Sequence, residues 1–263
     1  MRIDRLIVER SLAPTRSAAL RLIEAGAVRW RATTGHGDWN AASKAGATVP
    51  DTCELQVTDD AELRWVSRGG LKLEGALART GLRVTGRTVL DIGQSTGGFT
   101  QVLLAAGACQ VVGVDVGHGQ LHAALKGDPR VVGLEGLNAR SLDAAQLRAA
   151  ASGRPVPERF DLIVGDLSFI SLTLVLPALA PLLAPDGDLL MLVKPQFELQ
   201  PAQIGRGGIV RDASLHALVQ SRVRQSAADA GLAEQIWLES PISGGDGNAE
   251  FFLHARAVAA DPS

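Results

Sequence analysis

The chain has 263 residues, of which 46% are hydrophobic and 21% charged, and its formal net charge is −2, which is typical of a soluble globular protein. It contains no run of about 18 uncharged apolar residues, and its charged N-terminus lacks the apolar core of a secretory signal, so we expect neither a transmembrane helix nor a signal peptide. Two cysteines, Cys53 and Cys109, favour a reducing compartment over a disulfide framework and predict a cytoplasmic protein.

The first 50 residues form a basic segment. They hold eight Lys and Arg against four Asp and Glu, a balance of +4, which leaves −6 for the remainder. Apolar spacing predicts one helix near residues 2–12 and a second that begins after Thr15 as N-cap and stops at Gly26. Residues 33–49 are predicted to form a loop, and residues 53–58 a short strand. A basic module on an acidic body fits nucleic-acid binding, and a solvated arginine-rich helix face fits the charge about as well.

From residue 88 onward, apolar strand candidates alternate with helical segments. The predicted strands are 88–92, 110–115, 131–134, 160–165, 188–194, 234–240 and 250–258. The predicted helices include 99–107, 142–151, 172–184 and 213–231. This alternation predicts an α/β fold with a doubly wound, mostly parallel sheet. The loop between the last two strands is too short for a crossover helix, so we expect that pair to be antiparallel.

A glycine-rich turn joins the first of these strands to a helix. Gly93, Gly97 and Gly98 let the backbone approach a ligand, but similar turns bind dinucleotides. Asp91, directly before the turn, would oppose a pyrophosphate and would suit the sulfonium and ammonium groups of S-adenosylmethionine. Asp115 ends the next strand, where an acid commonly binds a ribose diol. S-adenosylmethionine is therefore favoured, while N-capping roles for the two acids and a nicotinamide dinucleotide remain as alternatives.

Ionisable residues follow or precede several of the predicted strands. Asp166 and Lys194 end two of them, and Glu250 opens the last one, while Lys72 lies just before the sheet begins. A lone strand-end lysine is more often a surface charge than a catalytic group. Together the four residues suit methylation of a ribose 2′-hydroxyl, a poor nucleophile that must lose its proton. A lysine whose pKa is lowered by burial and a neighbouring cation can take that proton, and the two acids would orient the lysines. The DLSF sequence at 166–169 lacks the turn typical of amino-group methylation.

Eight sequence blocks closely resemble the TlyA-type family, hemolysin A-like rRNA 2′-O-methyltransferases with an FtsJ-like domain. The blocks, which follow one another in the family's order over almost the whole chain, are WVSRGGLKLEGAL, VLDIGQSTGGFT, GVDVGHGQLH, LEGLNARSL, GDLSFISL, LVKPQFE, GGIVRD and SPISGGDGNAEFF. The basic N-terminal module resembles the RNA-binding domain named after ribosomal protein S4. The resemblance implies a Rossmann-like seven-stranded methyltransferase sheet, mostly parallel with an antiparallel last strand, and a small N-terminal α+β S4-like domain.

The resemblance also implies a domain division and three sets of site residues. The domains would be an S4-like domain at 1–60, an interdomain linker at 61–67 that includes the RWV of 64–66, and a methyltransferase domain at 68–263. The catalytic set would be Lys72, Asp166, Lys194 and Glu250. S-adenosylmethionine would contact Asp91, Gly93, Ser95, Thr96, Gly97, Gly98, Phe99, Asp115, Val116 and Asn138. RNA-binding side chains would be Arg2, Arg5, Arg16, Arg21 and Arg68.

The implied activity is S-adenosylmethionine-dependent 2′-O-methylation of cytidine in 16S rRNA, 23S rRNA or both, with ribosomal subunits as partners. We expect a monomer and no bound metal, because the five histidines lack metal-ligand spacing. Two departures concern RNA: the 29–47 segment replaces the usual Val-Asn-Gly turn, and Arg206 stands where the family has lysine. The alternatives are a catalytically idle RNA-binding or ribosome-assembly protein, a nicotinamide-dependent oxidoreductase and, least favoured, a membrane-active hemolysin.

Overall fold

The computed structural model describes residues 1–33, 38–60 and 63–258. The chain divides into two compact units, Met1–Arg68 and Gly69–Ser263. The side chain of residue 206, residues 34–37 of the predicted 33–49 loop and the first two positions of the predicted 61–67 linker lie outside the described residues.

In its described residues, the first unit combines two α-helices with a small antiparallel sheet. Its elements are α1 (Ile3–Glu9), α2 (Arg16–Glu24), β1 (Val28–Arg31), β2 (Asn40–Ala41) and β3 (Glu54–Val57), and the strand order is β2-β1-β3. Thr15 caps α2 as predicted, since its hydroxyl accepts a hydrogen bond from the Ala18 amide at 3.2 Å. The prediction of an uninterrupted loop at 33–49 is wrong at Asn40–Ala41, which pairs with β1. Two residues carry too little strand pattern for this pairing to be predicted.

The second unit contains a seven-stranded sheet with the order β6-β5-β4-β7-β8-β10-β9. The strands are β4 (Thr88–Ile92), β5 (Gln110–Asp115), β6 (Val131–Glu135), β7 (Phe160–Gly165), β8 (Leu183–Val193), β9 (Leu232–Glu239) and β10 (Phe251–Ala257). The helices are α3 (Arg68–Thr80), α4 (Gly98–Ala105), α5 (Ala123–Lys126), α6 (Ala144–Ala150), α7 (Leu176–Leu179), α8 (Pro195–Glu198) and α9 (Ala213–Asp229). Because β10 runs antiparallel to both β8 and β9, the predicted mostly parallel sheet with an antiparallel last strand is confirmed.

This topology places the carboxyl ends of the parallel strands and the amino end of the antiparallel strand β10 at the same edge of the sheet. β10 begins where the parallel strands end, since Phe251 pairs with Val193, the last residue of β8. Asp166 directly follows β7, Lys194 follows β8, and Glu250 precedes β10. The side chains of all three positions therefore start from the same edge of the sheet.

One predicted helix is wrong. Residues 172–184 form a 3₁₀ turn at Leu172–Leu174, the single-turn α7, a second 3₁₀ turn at Ala180–Leu182 and then the start of β8. Pro177 and Pro181 explain the interruption, because proline lacks the amide needed inside a continuous helix. Among the residues that the structure describes, no helix combines the length and the apolar character that crossing a membrane requires.

Candidate active site

Four ionisable residues meet at the carboxyl edge of the sheet, with Lys72 reaching them from α3. The Lys72 Nζ lies 2.6 Å from Glu250 Oε2 and 4.0 Å from Asp166 Oδ2. The Lys194 Nζ lies 2.6 Å from Asp166 Oδ1 and donates a hydrogen bond to Ser168 Oγ at 2.8 Å. The structure therefore joins the four residues into one chain of alternating charges.

The alternation differs from the predicted arrangement of two lysines that repel each other. Each ammonium instead lies close to a carboxylate, so that Asp166 is placed between the two lysines. The Glu250 side chain is only 3% exposed, and this burial raises its pKa, although the charge and hydrogen bond of Lys72 oppose the rise. A set of closely coupled, largely buried ionisable groups is typical of a site that transfers protons.

A cavity of about 350 Å³ opens beside this cluster. Its wall consists of Gly93, Ser95, Val114, Asp115, Val116, Gln120, Leu137, Ala139, Asp166, Leu167, Ser168 and Phe169. The cavity thus extends from the ends of β4 and β5 to Asp166. Gly93 permits this closeness: its φ is +81°, and a Cβ atom there would lie 2.7 Å from the Asp166 carbonyl oxygen.

Asp91 lies on β4 with a fully buried side chain. Its Oδ2 accepts a hydrogen bond from the Thr100 hydroxyl at 2.7 Å, and that hydroxyl accepts one from Gln94 Nε2 at 2.9 Å. Asp91 Oδ1 has no hydrogen-bond partner among the described residues. Burial raises the pKa of Asp91 to about 7, despite the hydrogen bond from Thr100. An ionisable oxygen left without a partner in the interior is a candidate contact for a cationic ligand.

Asp115 is fixed on the cavity wall by two backbone amides. Its Oδ2 accepts a hydrogen bond from the Ser95 amide at 2.8 Å, and its Oδ1 accepts one from the Gly117 amide at 2.7 Å. The N-cap residues of α4 and α5 are Gly97 and His122. Asp115 therefore does not cap α5, and Asp91 is not the N-cap residue of α4, although its carboxylate is hydrogen-bonded to Thr100 in the first turn of that helix.

Six residues predicted to contact the cofactor do not line the cavity: Asp91, Thr96, Gly97, Gly98, Phe99 and Asn138. Phe99 is 4% exposed and packs against Phe252, with ring centroids 6.3 Å apart, because it lies in the first turn of α4. Gly97 and Gly98 form the start of that helix, and the Thr96 carbonyl accepts a hydrogen bond from the His122 amide. Asn138 caps a 3₁₀ turn through the Arg140 amide, while its neighbours Leu137 and Ala139 line the cavity.

Several residues that the structure brings to the site were not predicted from the sequence. Gln120 accepts a hydrogen bond from the Ser95 hydroxyl at 3.0 Å across the cavity. Gln94 fills the space above Gly113, where a Cβ atom would lie 2.0 Å from its amide carbon. Phe169 is 91% exposed with a φ of +64°, and its ring centroid lies 5.1 Å from that of Phe197. Only the apolar Phe169 beside Asp166, Leu167 and Ser168 could have been suspected from its position in the sequence.

The predicted RNA-binding arginines lie in the first unit. Arg2 and Arg16 both form ion pairs with the buried carboxylate of Asp4, at 3.0 and 2.8 Å, while about half of each guanidinium side chain stays exposed. The hydrogen bond from Arg2 holds the pKa of Asp4 well below its usual range, with a further contribution from Arg16. Arg5 is exposed, Arg21 donates to the Trp65 carbonyl at 3.5 Å, and Arg68 lies 4.0 Å from Glu24. Asp4 thus brings two of the five guanidinium groups together.

Comparison with known proteins agrees with the geometry. A family model described as FtsJ-like methyltransferase matches residues 65–257. The chain is 46% identical over 255 residues to the Mycobacterium tuberculosis protein named 16S/23S rRNA (cytidine-2′-O)-methyltransferase TlyA, an alignment that covers 97% of this chain and 89% of that protein.

Two solved structures extend the comparison. A Streptococcus thermophilus structure, described as a proposed hemolysin, is 41% identical with a TM-score of 0.73 and covers 99% of this chain and 89% of its own. An S-adenosylmethionine dependent methyltransferase from Mesorhizobium loti, 16% identical with a TM-score of 0.51, covers 69% of this chain and 96% of its own and shares the fold. The predicted family resemblance is confirmed: the chain belongs to the FtsJ-like methyltransferases, in the group that includes the TlyA proteins.

Proposed function

We propose that the protein transfers a methyl group from S-adenosylmethionine to the 2′-hydroxyl of a cytidine in ribosomal RNA. The observation that carries the proposal is the convergence of Lys72, Asp166, Lys194 and Glu250 beside a cavity whose wall includes Asp166. A ribose hydroxyl needs a proton acceptor, and this cluster offers a nitrogen base held by neighbouring oxygen atoms. The rRNA (cytidine-2′-O)-methyltransferase activity in the name of the M. tuberculosis relative supports the same substrate.

The cavity residues fit S-adenosylmethionine. When bound, this cofactor supplies an electrophilic methyl group on a sulfonium ion. Asp115, on the cavity wall, would bind the ribose diol. Asp91 is buried and not part of that wall, and it would attract a cationic part of the ligand through Oδ1, which lacks a hydrogen-bond partner among the described residues. Gly93, on the same wall, has no side chain that would press on the Asp166 backbone. The ligand would therefore lie between the ends of β4 and β5 and the catalytic cluster.

Each residue of the cluster has a role in the proposed reaction. Lys194, once its Nζ has released its own proton to solvent, takes the proton of the 2′-hydroxyl, while Asp166 and Ser168 orient that Nζ. Lys72, held by the nearly inaccessible Glu250, provides positive charge where the oxygen becomes negative. Once the hydroxyl is in line with the methyl group, positioning contributes as much as proton transfer.

The RNA would be held in part by the first unit. We propose that Met1–Arg68 includes an S4-like RNA-binding domain at 1–60, in which Arg2, Arg5, Arg16, Arg21 and Arg68 contact phosphates, and that 61–67 is the linker to the methyltransferase domain at 68–263. The paired presentation of Arg2 and Arg16 on Asp4 supports this role, since two adjacent guanidinium groups suit consecutive phosphates. Because ribosomal subunits are cytoplasmic, we place the protein there, acting as a monomer.

The proposal is tested by incubating the protein with labelled S-adenosylmethionine and either 30S or 50S subunits, followed by mapping of the modified nucleotide. We expect label on a cytidine ribose, and its loss in the Lys194→Ala variant. Label on a base nitrogen would contradict the proposal. Binding to subunits with no transfer of label would favour the idle ribosome-assembly protein instead.

A further inference from the structure

Glu198 is a buried acid that the proposed mechanism does not use. It ends the single turn of α8, which begins directly after Lys194, and its side chain is almost inaccessible. Its Oε2 accepts a hydrogen bond from the Ser171 hydroxyl at 2.5 Å, and its Oε1 accepts one from the Leu172 amide at 2.8 Å. Burial raises the pKa of Glu198, and these two hydrogen bonds oppose the rise.

Both donors belong to the segment that follows β7, which is the segment that carries Asp166 and Ser168. One end of this segment is held by the sheet, since the Asp166 amide donates to the Ile92 carbonyl at 3.0 Å. The other end is held by Glu198 through Ser171 and Leu172. Between these two attachments the chain passes through Phe169, whose backbone is left-handed. Glu198 thus connects the segment of Asp166 to the turn of Lys194.

The connection through Glu198 affects the distances from Lys194 Nζ to Asp166 Oδ1 and Ser168 Oγ. Asp166 and Ser168 belong to the segment that follows β7, whereas Lys194 directly precedes the turn that ends in Glu198. Glu198 is fixed in turn, because its carbonyl accepts a hydrogen bond from Arg222 on α9 at 3.3 Å. We infer that Glu198 is a positioning residue for methyl transfer, which holds the 166–172 segment against the turn that follows β8 and so sets the geometry around Lys194 Nζ. The inference rests on the proposed function for the identity of the reaction.

The test compares three variants of the full chain. Glu198→Ala removes both acceptors, Glu198→Gln retains an acceptor for Leu172 and a polar partner for Ser171, and Ser171→Ala removes one donor. We expect kcat to fall roughly 10- to 100-fold in Glu198→Ala, because displacements of about 1 Å in a reacting group have effects of this size. The KM values for RNA and for the cofactor should stay unchanged. Glu198→Gln should recover most of the kcat, and Ser171→Ala should lie between the two.

Asp188→Ala is the matched structural control, because Asp188 is also a buried, hydrogen-bonded acid but its partners are Arg87, His254 and Arg256 and not the segment that carries Asp166. It should lower the unfolding free energy and leave the pH profile of kcat unchanged. Glu198→Ala should move that profile, because the surroundings of Lys194 change, and should also move the titration midpoint of the Lys194 Cε protons in NMR spectra.

The outcomes separate the inference from the proposed function. A wild-type protein that transfers no methyl group to ribosomal RNA overturns the proposed function, and the NMR midpoint then tests the positioning role without activity. An active wild type with the same kcat, pH profile and NMR midpoint in Glu198→Ala overturns the inference. If Glu198→Ala does not fold, Ser171→Ala and Glu198→Gln test the inference in its place. A lower kcat in Ser171→Ala together with a retained kcat in Glu198→Gln supports the inference, and the same kcat in both variants rejects it.

Discussion

Buried carboxylates lie toward both ends of the strands of the seven-stranded sheet, and their surroundings differ. Below, the paired edge is the end that carries Asp188, and the functional edge is the carboxyl end that carries the catalytic cluster. Asp188, on β8, accepts hydrogen bonds from Arg87 at 2.7 Å and from Arg256 at 2.8 Å, and lies 2.8 Å from His254 Nε2. Burial alone would raise the pKa of Asp188, but these three partners hold it well below its usual range. At the carboxyl edge, burial raises the pKa of both Asp91 and Glu250.

The difference indicates that buried acids at one end of the sheet stabilise the fold, while those at the other end serve ligand binding and catalysis. A fully paired buried acid stabilises the folded chain when ionised, whereas an incompletely paired one costs stability that a ligand or substrate can recover. β8 and β10 contribute to both edges. Asp188 on β8 and Arg256 on β10 lie at the paired edge, whereas Lys194 directly follows β8 and Glu250 directly precedes β10 at the functional edge. We therefore expect substitutions at the two edges to change different observables.

The largest effect should come from Lys194 at the functional edge. Lys194→Ala should lower kcat by about 10²- to 10⁴-fold, the contribution typical of a general base, while calorimetry with S-adenosylmethionine gives an unchanged affinity. Lys194→Arg is the sharper variant, because it keeps the positive charge beside Asp166 but cannot release its proton. Arginine should be as inactive as alanine. Activity near the wild-type level in Lys194→Arg would mean that the charge, and not proton transfer, is what the reaction requires.

At the paired edge, Asp188→Ala should lower the unfolding free energy by about 3 kcal/mol, because it leaves buried partners without their counter-charge. Since the folded-state pKa of Asp188 is lowered, its stabilisation is fully present above the unfolded-state pKa of about 3.9 and is lost as the pH falls below that value. Urea unfolding at pH 7 and at pH 3 should show a smaller difference in unfolding free energy between the wild type and the variant at the lower pH. A loss of cofactor affinity in Asp188→Ala would contradict the division between the two edges.

The residues of the functional edge could be predicted from the sequence, whereas those of the paired edge could not. Asp166, Lys194 and Glu250 could be predicted because each adjoins a clear apolar strand, and the topology of parallel strands with one antiparallel partner brings such ends together. The Asp188 group could not, because Arg87, His254 and Arg256 have no common motif and meet only through the register of β8 and β10. The roles of Gln94 and Gln120 were equally hidden, since they depend on side-chain direction within loops. The predicted helix at 172–184 is wrong because Pro177 and Pro181 divide this apolar stretch into separate short turns.

The third effect concerns Asp91 and pH. Because burial raises its pKa to about 7, the unliganded protein holds this carboxyl protonated below that pH and loses stability as the pH rises from the unfolded-state value of about 3.9 toward 7. A cationic ligand requires the ionised form, so the affinity for S-adenosylmethionine should fall by up to about tenfold per pH unit below about pH 7.

Calorimetry at pH 5.5 to 8.5 would measure this dependence. The matched variant is Asp91→Asn, which keeps an acceptor for the Thr100 hydroxyl and removes the charge. It should bind the cofactor weakly at every pH and show no such slope. A wild-type affinity that does not change over this range would remove Asp91 from the cationic contact.

The smallest effect should come from Phe169, the exposed aromatic residue at the mouth of the cavity. A ring that is 91% exposed in the left-handed backbone region gains little from the fold and can stack on an unpaired base. Phe169→Ala should raise the KM for RNA about 5-fold, which corresponds to the lower end of the roughly 1–3 kcal/mol of one stacked base, and should leave the cofactor affinity unchanged. Phe169→Trp keeps an aromatic face and should retain most of the RNA affinity. Equal KM values in Phe169→Ala and the wild type would show that the ring contacts no base, and would leave the functional edge defined by its ionisable groups alone.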